Sequence, residues 1–357
     1  MRIVLIGRGK MGTLIRETAS AAGDEIEAAF GRDDLDQLGR LGKVADVVMD
    51  FSRPAALPEI AAYVRRTGTP LLSGTTGYTE AEKAALFALG SAAPVLWSAQ
   101  RMGIPTLIQE QNSYAGVTNK LLASRARRIC VAYEGMERFF PKERIVMTGN
   151  PLRGRFAEGA DPAARKAEAL AYFGLEADKP VVLVVGGSLG TRTLNNMMKA
   201  NVERITAEGR LQVIWQTGKF YEREMTEFMQ GRSSEGIWRG AFIDRMDLAY
   251  AAADVVVGRS GAGTVSELCL IGKPAIFVPS PNVAEDHQTK NALALVEKGA
   301  ALLVRDGEAV SGLFPVVDAL LADPERMRRM AANIRVLGIA DSAERIVDEI
   351  VAVVSTK

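Results

Sequence analysis

Arg259-Ser260-Gly261-Ala262-Gly263-Thr264-Val265-Ser266-Glu267 follows an apolar run from Asp254 to Gly258 and precedes Pro279-Ser280-Pro281-Asn282-Val283-Ala284-Glu285-Asp286-His287-Gln288-Thr289-Lys290-Asn291. A buried strand that turns on two glycines into a helix near Thr264 leaves backbone N–H groups and the positive end of a helix dipole facing a phosphate. Glu267 falls one turn into that helix, where a carboxylate accepts two hydrogen bonds from the vicinal hydroxyls of a ribose. A phosphate cradle beside a ribose clamp predicts a nucleotide site.

Outward from that stretch, the same grammar repeats. The run Val181–Val185 reads as a strand, Gly186-Gly187-Ser188-Leu189-Gly190 as a glycine loop, and a helix follows from Thr191. Strands are expected at Leu211–Gln216, Phe242–Asp244, Ala275–Val278 and Ala301–Val304, with a helix over Gln288–Lys298. Strands alternating with helices at this spacing build a parallel, doubly wound sheet. An amphipathic helix over Ser342–Val354 closes the chain.

The amino-terminal region is a second α/β text. Arg2–Ile6 reads as a buried strand, followed by Gly7-Arg8-Gly9-Lys10-Met11-Gly12, a helix to about Ala22 and a strand over Glu25–Phe30. This is a βαβ unit with a G-x-G-x-x-G turn in its proper place, where Arg32 or Asp33 would meet an adenosine ribose or its 2′-phosphate. The same glycines also serve tight strand–helix packing. Further strands are expected at Asp46–Phe51, Pro70–Ser73 and Pro94–Ser98, with helices at Leu57–Arg66 and Thr79–Gly90. Only Ala99–Ile104 separates Pro94–Ser98 from the next extended run, Pro105–Gln109. Parallel neighbours need a crossover of about a dozen residues or more. Either the two runs pair antiparallel or one is not a sheet strand, and the text reads as the junction of two different sequences.

Length and composition bound the rest. At 357 residues the chain accommodates two domains, and Lys+Arg 44 against Asp+Glu 43 gives no basic surplus for nucleic acid. No apolar run reaches the ~18 residues of a membrane span, and the chain opens on a strand with no leader pattern. Cys130 and Cys269 lack metal-ligand spacing and read as reduced core residues of a cytoplasmic protein. His287 is the single histidine, which leaves few candidates for an imidazole base.

The set GRGKMG, MDFSRP, SGTTGYTE and VLWSA resembles the cofactor domain of the dihydrodipicolinate reductases. That resemblance implies NAD(P)H contacts at Gly7, Gly9, Lys10, Met11, Gly12, Arg32, Phe51, Gly74, Thr75 and Thr76, and lysine biosynthesis as one functional reading. It stops after Ala99; the family's histidine- and lysine-bearing catalytic segment is absent. From Arg101 onward, IPTLIQEQNSYAGVTNK, GNPLR, VVGGSLGTRTLN, RSGAGTVSE and PSPNVAEDHQTKNA resemble the peptidoglycan UDP-N-acetylglucosamine transferases, the MurG family of GT-B glycosyltransferases. The likeness implies UDP-N-acetylglucosamine contacts at Asn112, Arg153, Ser188, Ile243, Ala262, Gly263, Thr264, Val265, Ser266, Glu267 and Gln288. It implies a lipid-linked acceptor at the cytoplasmic face of the membrane, no cofactor or metal for transfer, and no assigned catalytic base. The family's glycine-rich, histidine-containing acceptor loop (GGTGGH) and apolar docking patch are missing from the first hundred residues.

The expected architecture is α/β with two Rossmann-like doubly wound domains in a GT-B-like arrangement, the first a hybrid. Its expected segments are 1–99 (dinucleotide-binding), 100–155 (remainder of the transferase amino-terminal domain), 156–340 (UDP-sugar-binding) and 341–357 (terminal helix). Three functions follow: lipid-linked N-acetylglucosaminyl transfer, dihydrodipicolinate reduction, or nucleotide binding without turnover.

Overall fold

The computed structural model describes residues 2–21, 23–69, 71–73, 75, 79, 96, 99–101, 103–152, 162–187 and 189–355. It separates into two compact units, one of residues 1–106 and 121–127, the other of 107–120 and 128–357.

The first unit holds a parallel four-stranded sheet in the order β2-β1-β3-β4, from β1 (Arg2–Ile6), β2 (Glu25–Phe30), β3 (Val47–Asp50) and β4 (Leu71–Ser73). Alternation along β1 sorts its two faces. Ile3 and Leu5 pack with Ala19 of helix Lys10–Ala21 on one side. Val4 and Ile6 pack with Ile60 and Tyr63 of helix Leu57–Thr67 on the other. Tyr63 is fully buried, and its Oη donates to the Gly42 carbonyl at 3.0 Å, so the one polar atom it brings inside is satisfied.

Of the expected strand Pro94–Ser98 only Leu96 is described, and it is helical, as are Ala99, Gln100 and Arg101. That corrects the strand assignment at Leu96; Pro94, Val95, Trp97 and Ser98 lie outside the described residues. The expected helix Thr79–Gly90 lies outside the described residues except for Thr79.

The second unit carries two sheets among its described residues. A three-stranded parallel sheet runs β5-β6-β7, from β5 (Leu107–Glu110), β6 (Arg128–Val131) and β7 (Ile145–Met147). A six-stranded parallel sheet runs β10-β9-β8-β11-β12-β13, from β8 (Val181–Val185), β9 (Gln212–Gln216), β10 (Ile237–Gly240), β11 (Val255–Gly258), β12 (Ala275–Phe277) and β13 (Ala301–Leu303). The order is that of a doubly wound dinucleotide-type sheet. Val181, Leu183 and Val185 join one core with helices Pro162–Phe173, Met246–Ala252 and Ala262–Ile271. Val182 and Val184 join the other, against helices Arg192–Glu208 and Ala309–Leu321. Both faces are covered, which is why these strands read as unbroken apolar runs.

The strand expected at Phe242–Asp244 is not formed; the edge strand is β10, a few residues earlier, and 242–244 is irregular. IWRG pairs with β9 on one side only, so its residues carry no strong burial signal.

Candidate functional site

The strand order of the six-stranded sheet reverses between β8 and β11, so the loops leaving their carboxyl ends diverge from a common crevice. Ligands of open α/β sheets bind at such a reversal. Both glycine loops singled out in the sequence leave from there, Gly186–Gly190 after β8 and Arg259–Gly261 after β11. They are close neighbours: a Cβ on Gly258 would stand 3.1 Å from the Val185 carbonyl oxygen.

The glycines of these loops divide by cause. Gly190 and Gly218 cross at backbone distance, with a Cβ on Gly190 only 2.2 Å from the Thr217 oxygen and one on Gly218 2.1 Å from Gly190 Cα. Both have positive φ, so only glycine fits the crossing. A Cβ on Gly261 or Gly263 would meet no described atom within 4 Å, and no described side chain caps the helix that starts at Ala262. A glycine in a first helical turn weakens it, and uncapped first-turn N–H groups have no intrahelical acceptor. Open space and unclaimed donors at one point are what an anion at a helix start requires.

Glu267 sits one turn further along. Its Oε2 accepts a 2.9 Å hydrogen bond from Tyr250 Oη. Burial pushes its carboxyl above the ordinary range, partly offset by that bond, and burial raises the Tyr250 phenol too. A carboxylate has about four acceptor positions, so Oε1 remains for a ligand hydroxyl. Gln288 Oε1 accepts from the Ser280 N–H at 2.9 Å, which leaves its amide N–H₂ as the end that donates outward. Arg259, by contrast, is turned onto the protein, donating to the carbonyls of Val278 and Pro279 and pairing with Asp306 at 2.5 Å.

Asn112 is joined to this region by a buried amide that sequence reading missed. Asn291 accepts from the Ser113 N–H at 2.8 Å and donates to Asn112 Oδ1 at 3.0 Å and to the Ser260 carbonyl at 3.2 Å. Asn150 Nδ2 donates to Ser266 Oγ at 2.9 Å and to the Gln111 carbonyl. Ser113 and Asn112 lie 178 and 179 residues from Asn291, beyond any local pattern. Ile243 is buried, so only its main chain can face a ligand. The Val265 side chain is likewise buried in the core, while Ala262 and Thr264 stand at the open first turn. His287 opens helix His287–Val296 and is half-buried.

In the first unit the sheet order reverses between β1 and β3. Gly7 there has φ +109, and its Cβ would meet the Phe51 oxygen at 2.5 Å; a Cβ on Gly12 would meet the Gly7 oxygen at 1.8 Å. One on Gly9 would meet no described atom within 4 Å. Thr75 Oγ1 accepts from the Ser52 N–H at 2.9 Å, and Arg32 is exposed. Asp34, which sequence reading passed over, takes the Gly31 N–H at 2.6 Å and Arg8 at 2.5 Å; these hold its carboxyl below the usual range, the backbone bond contributing most. Gly74, Thr76, Arg153 and Ser188, with the side chains of Lys10 and Met11, lie outside the described residues.

Among the described residues no cluster of metal-ligand type is present and no helix is long and apolar enough to cross a membrane.

Residues 181–346 match the glycosyltransferase family 28 C-terminal domain, and residues 1–101 match the dihydrodipicolinate reductase N-terminus. The UDP-N-acetylglucosamine–N-acetylmuramyl-(pentapeptide) pyrophosphoryl-undecaprenol N-acetylglucosamine transferase of Parabacteroides distasonis is 52% identical over 264 residues, covering 74% of this chain and 71% of that protein. The transferase of the same name from Christiangramia forsetii is 39% identical over 349 residues, 98% of this chain and 89% of that protein. The chain belongs to this transferase family. It is therefore a GT-B-type glycosyltransferase, as its motifs implied. The crystal structure of Acinetobacter baumannii MurG superposes with a TM-score of 0.57 at 22% identity, covering 97% of this chain and 98% of that one, a likeness of fold. A UDP-GlcNAc 2-epimerase from Neisseria meningitidis shares that fold at a TM-score of 0.52 and 14% identity, over 99% of this chain and 100% of that one.

Proposed function

We propose that the second unit binds UDP-N-acetylglucosamine at the crevice between β8 and β11 and transfers the sugar to the C4 hydroxyl of a lipid-linked N-acetylmuramoyl-pentapeptide pyrophosphate. The observation that carries this reading is the uncapped, open helix start at Gly261–Gly263 with Glu267 one turn further in. In it the diphosphate meets the first-turn N–H groups, which also stabilise the charge that grows on the leaving UDP as the C1–O bond breaks. Glu267 takes ribose hydroxyls, and Gln288 donates to the sugar. Arg153 and Ser188 complete the phosphate contacts by family resemblance, with Asn112 a further contact to the donor implied by the same resemblance. As the acceptor oxygen bonds C1 and UDP departs, the hydroxyl proton passes to solvent; no side chain is assigned as the base.

The first hundred residues lack the GGTGGH loop, which supports donor binding with weak turnover. Calorimetric titration with UDP, paired with a transfer assay on a shortened-lipid acceptor, tests both halves. Saturable UDP binding that Glu267→Ala weakens at least tenfold is expected, with slow transfer. No UDP binding, or a Glu267→Ala protein equal to the parent, rejects the donor site. Rapid transfer rejects the view that the acceptor half is missing.

A second reading has its own observation. Gly9 is a glycine that no described packing contact demands, between two that packing does demand, and the segment matches the reductase amino terminus. It supports NAD(P)H binding at Gly7–Gly12 without dihydrodipicolinate reduction. Fluorescence titration decides: quenching by NADH or NADPH is expected, and its absence with both removes the cofactor site.

A further inference from the structure

On the far side of helix Ala262–Ile271 from Glu267 lies a cavity of about 400 Å³. At 100° per residue, Val265, Ser266 and Cys269 face it, whereas Gly263, Thr264 and Glu267 do not line it. Its lining holds no residue of the loops that leave β8 and β11, although Val265 and Ser266, named by resemblance as donor contacts, face it.

Two buried hydroxyls on its wall, Ser113 Oγ and Tyr133 Oη, have no hydrogen-bond partner among the described residues. An unpartnered buried hydroxyl gives up the hydrogen bonds that water supplies in the unfolded chain. Buried polar groups in native proteins are nearly always satisfied, so two on one cavity call for a partner. Ordinary water is one candidate, since a polar space of this size holds roughly a dozen molecules at ~30 Å³ each.

Val265, Leu295 and Leu337 give the lining its apolar part, beside the polar Asn150 and Ser266, which bond each other at 2.9 Å. The titratable groups on the inner wall are neutral: burial raises the Tyr133 phenol and pushes the Cys269 thiol up to about 12. The charged lining residues Glu134, Arg138, Glu297 and Lys298 are all exposed, with Lys298 paired to Glu134 at 2.6 Å and Arg138 donating to the Ser113 carbonyl at 2.8 Å, so none places its charge in the buried part of the wall. A buried ligand charge would lack a counter-ion here, which disfavours ions. Two of its walls meet at close range. The chain passes from the three-stranded to the six-stranded sheet at Gly149–Asn150 and returns near Gly338–Ile339. A Cβ on Gly149 would stand 2.9 Å from Ile339 Cβ, and one on Gly338 2.8 Å from the Cys269 oxygen. The cavity's volume lies in the range of small-molecule sites.

We propose that this cavity is a second binding site, for a small uncharged molecule with an apolar body and two hydrogen-bonding groups that satisfy Ser113 Oγ and Tyr133 Oη. A phenolic amide or a cyclic alcohol represents the class. The site does not depend on the nucleotide reading.

The test titrates 4-hydroxybenzamide, benzyl alcohol and cyclohexanol into the full-length, methyl-labelled protein and follows Val265, Leu295, Leu337 and Ile339 by NMR. Saturable shifts at these methyls are expected with at least one probe. Tyr133→Phe and Ser113→Ala should each weaken that probe by roughly 2- to 12-fold, the worth of one hydrogen bond. Glu267→Ala should leave its affinity unchanged. Tyr133→Phe should also raise the unfolding temperature of the ligand-free protein, because it removes an orphaned hydroxyl. No saturable shift with any probe, or equal binding by both hydroxyl variants, overturns the proposal and leaves the space to water. A lower unfolding temperature for Tyr133→Phe overturns it as well, by showing that the hydroxyl already has a partner.

Discussion

Glu267 combines two demands that pull against each other. Its carboxylate sits beside the open helix start, yet burial holds its pKa above the ordinary range. The folded chain therefore binds a proton there more tightly than the unfolded chain does, where the pKa is about 4.3. The associated stability is fully present below the unfolded pKa and is lost as pH rises through the folded one. Glu267→Gln keeps an acceptor for Tyr250 and removes the buried charge. Thermal denaturation across pH 4 to 7 is expected to show this variant gaining on the parent as pH rises, while its UDP affinity falls by roughly 10-fold or more. Gly187 and Gly190 offer a second comparison. Both have positive φ, but Gly187 has open space where Gly190 has backbone at 2.2 Å. Gly187→Ala is expected to lose about 1–2 kcal/mol in urea denaturation. Gly190→Ala should lose more than about 3 kcal/mol, because backbone atoms do not move aside as a flexible side chain does.

At the level of elements, what was legible depended on burial. Val181–Val185 was readable to the residue, since an apolar run bounded by turn residues has one reading. The edge strand Ile237–Gly240 was not, because its arginine and glycine break the apolar run. Leu96 reads as extended and is helical, in a run where periodicity does not separate strand from helix. Helix His287–Val296 is held to the loop after β5 by Asn291, whose three bonds run to Ser113, Asn112 and Ser260. Asn291→Leu leaves three polar groups without their partner in a buried setting. A loss of about 3 kcal/mol or more is expected in chemical denaturation, with UDP affinity reduced because Ser260 borders the helix start.

At the level of the molecule, the two units carry separate cores. In the first, one core gathers around Val4 and Tyr63; in the second, Leu183 anchors one face of β8 while Val182 and Val184 anchor the other. Hydrogen exchange followed by mass spectrometry should therefore resolve two ligand footprints. UDP is expected to slow exchange at 186–190 and 259–267, and NADPH at 7–12 and 51–52. Protection by either ligand at the other's segments would contradict the assignment of one nucleotide to each sheet. A ligand at 100 times its Kd stabilises the state it binds by about 2.7 kcal/mol, enough to be read in such profiles.

Local order in the chain determined the alternation of strands and helices, the two glycine loops and the family motifs, because each rests on neighbours within about a turn or a strand. Tertiary structure alone decided which loops share a crevice, since sheet order depends on pairing between strands far apart in the chain. It also decided the burial that raises Glu267, the Asn291 amide that joins segments 178 residues apart, and the cavity behind helix Ala262–Ile271. The stretch Arg259–Glu267 announced a phosphate and a ribose by its residue types; only the folded chain set the Gly186–Gly190 loop beside it and gave its helix a second face.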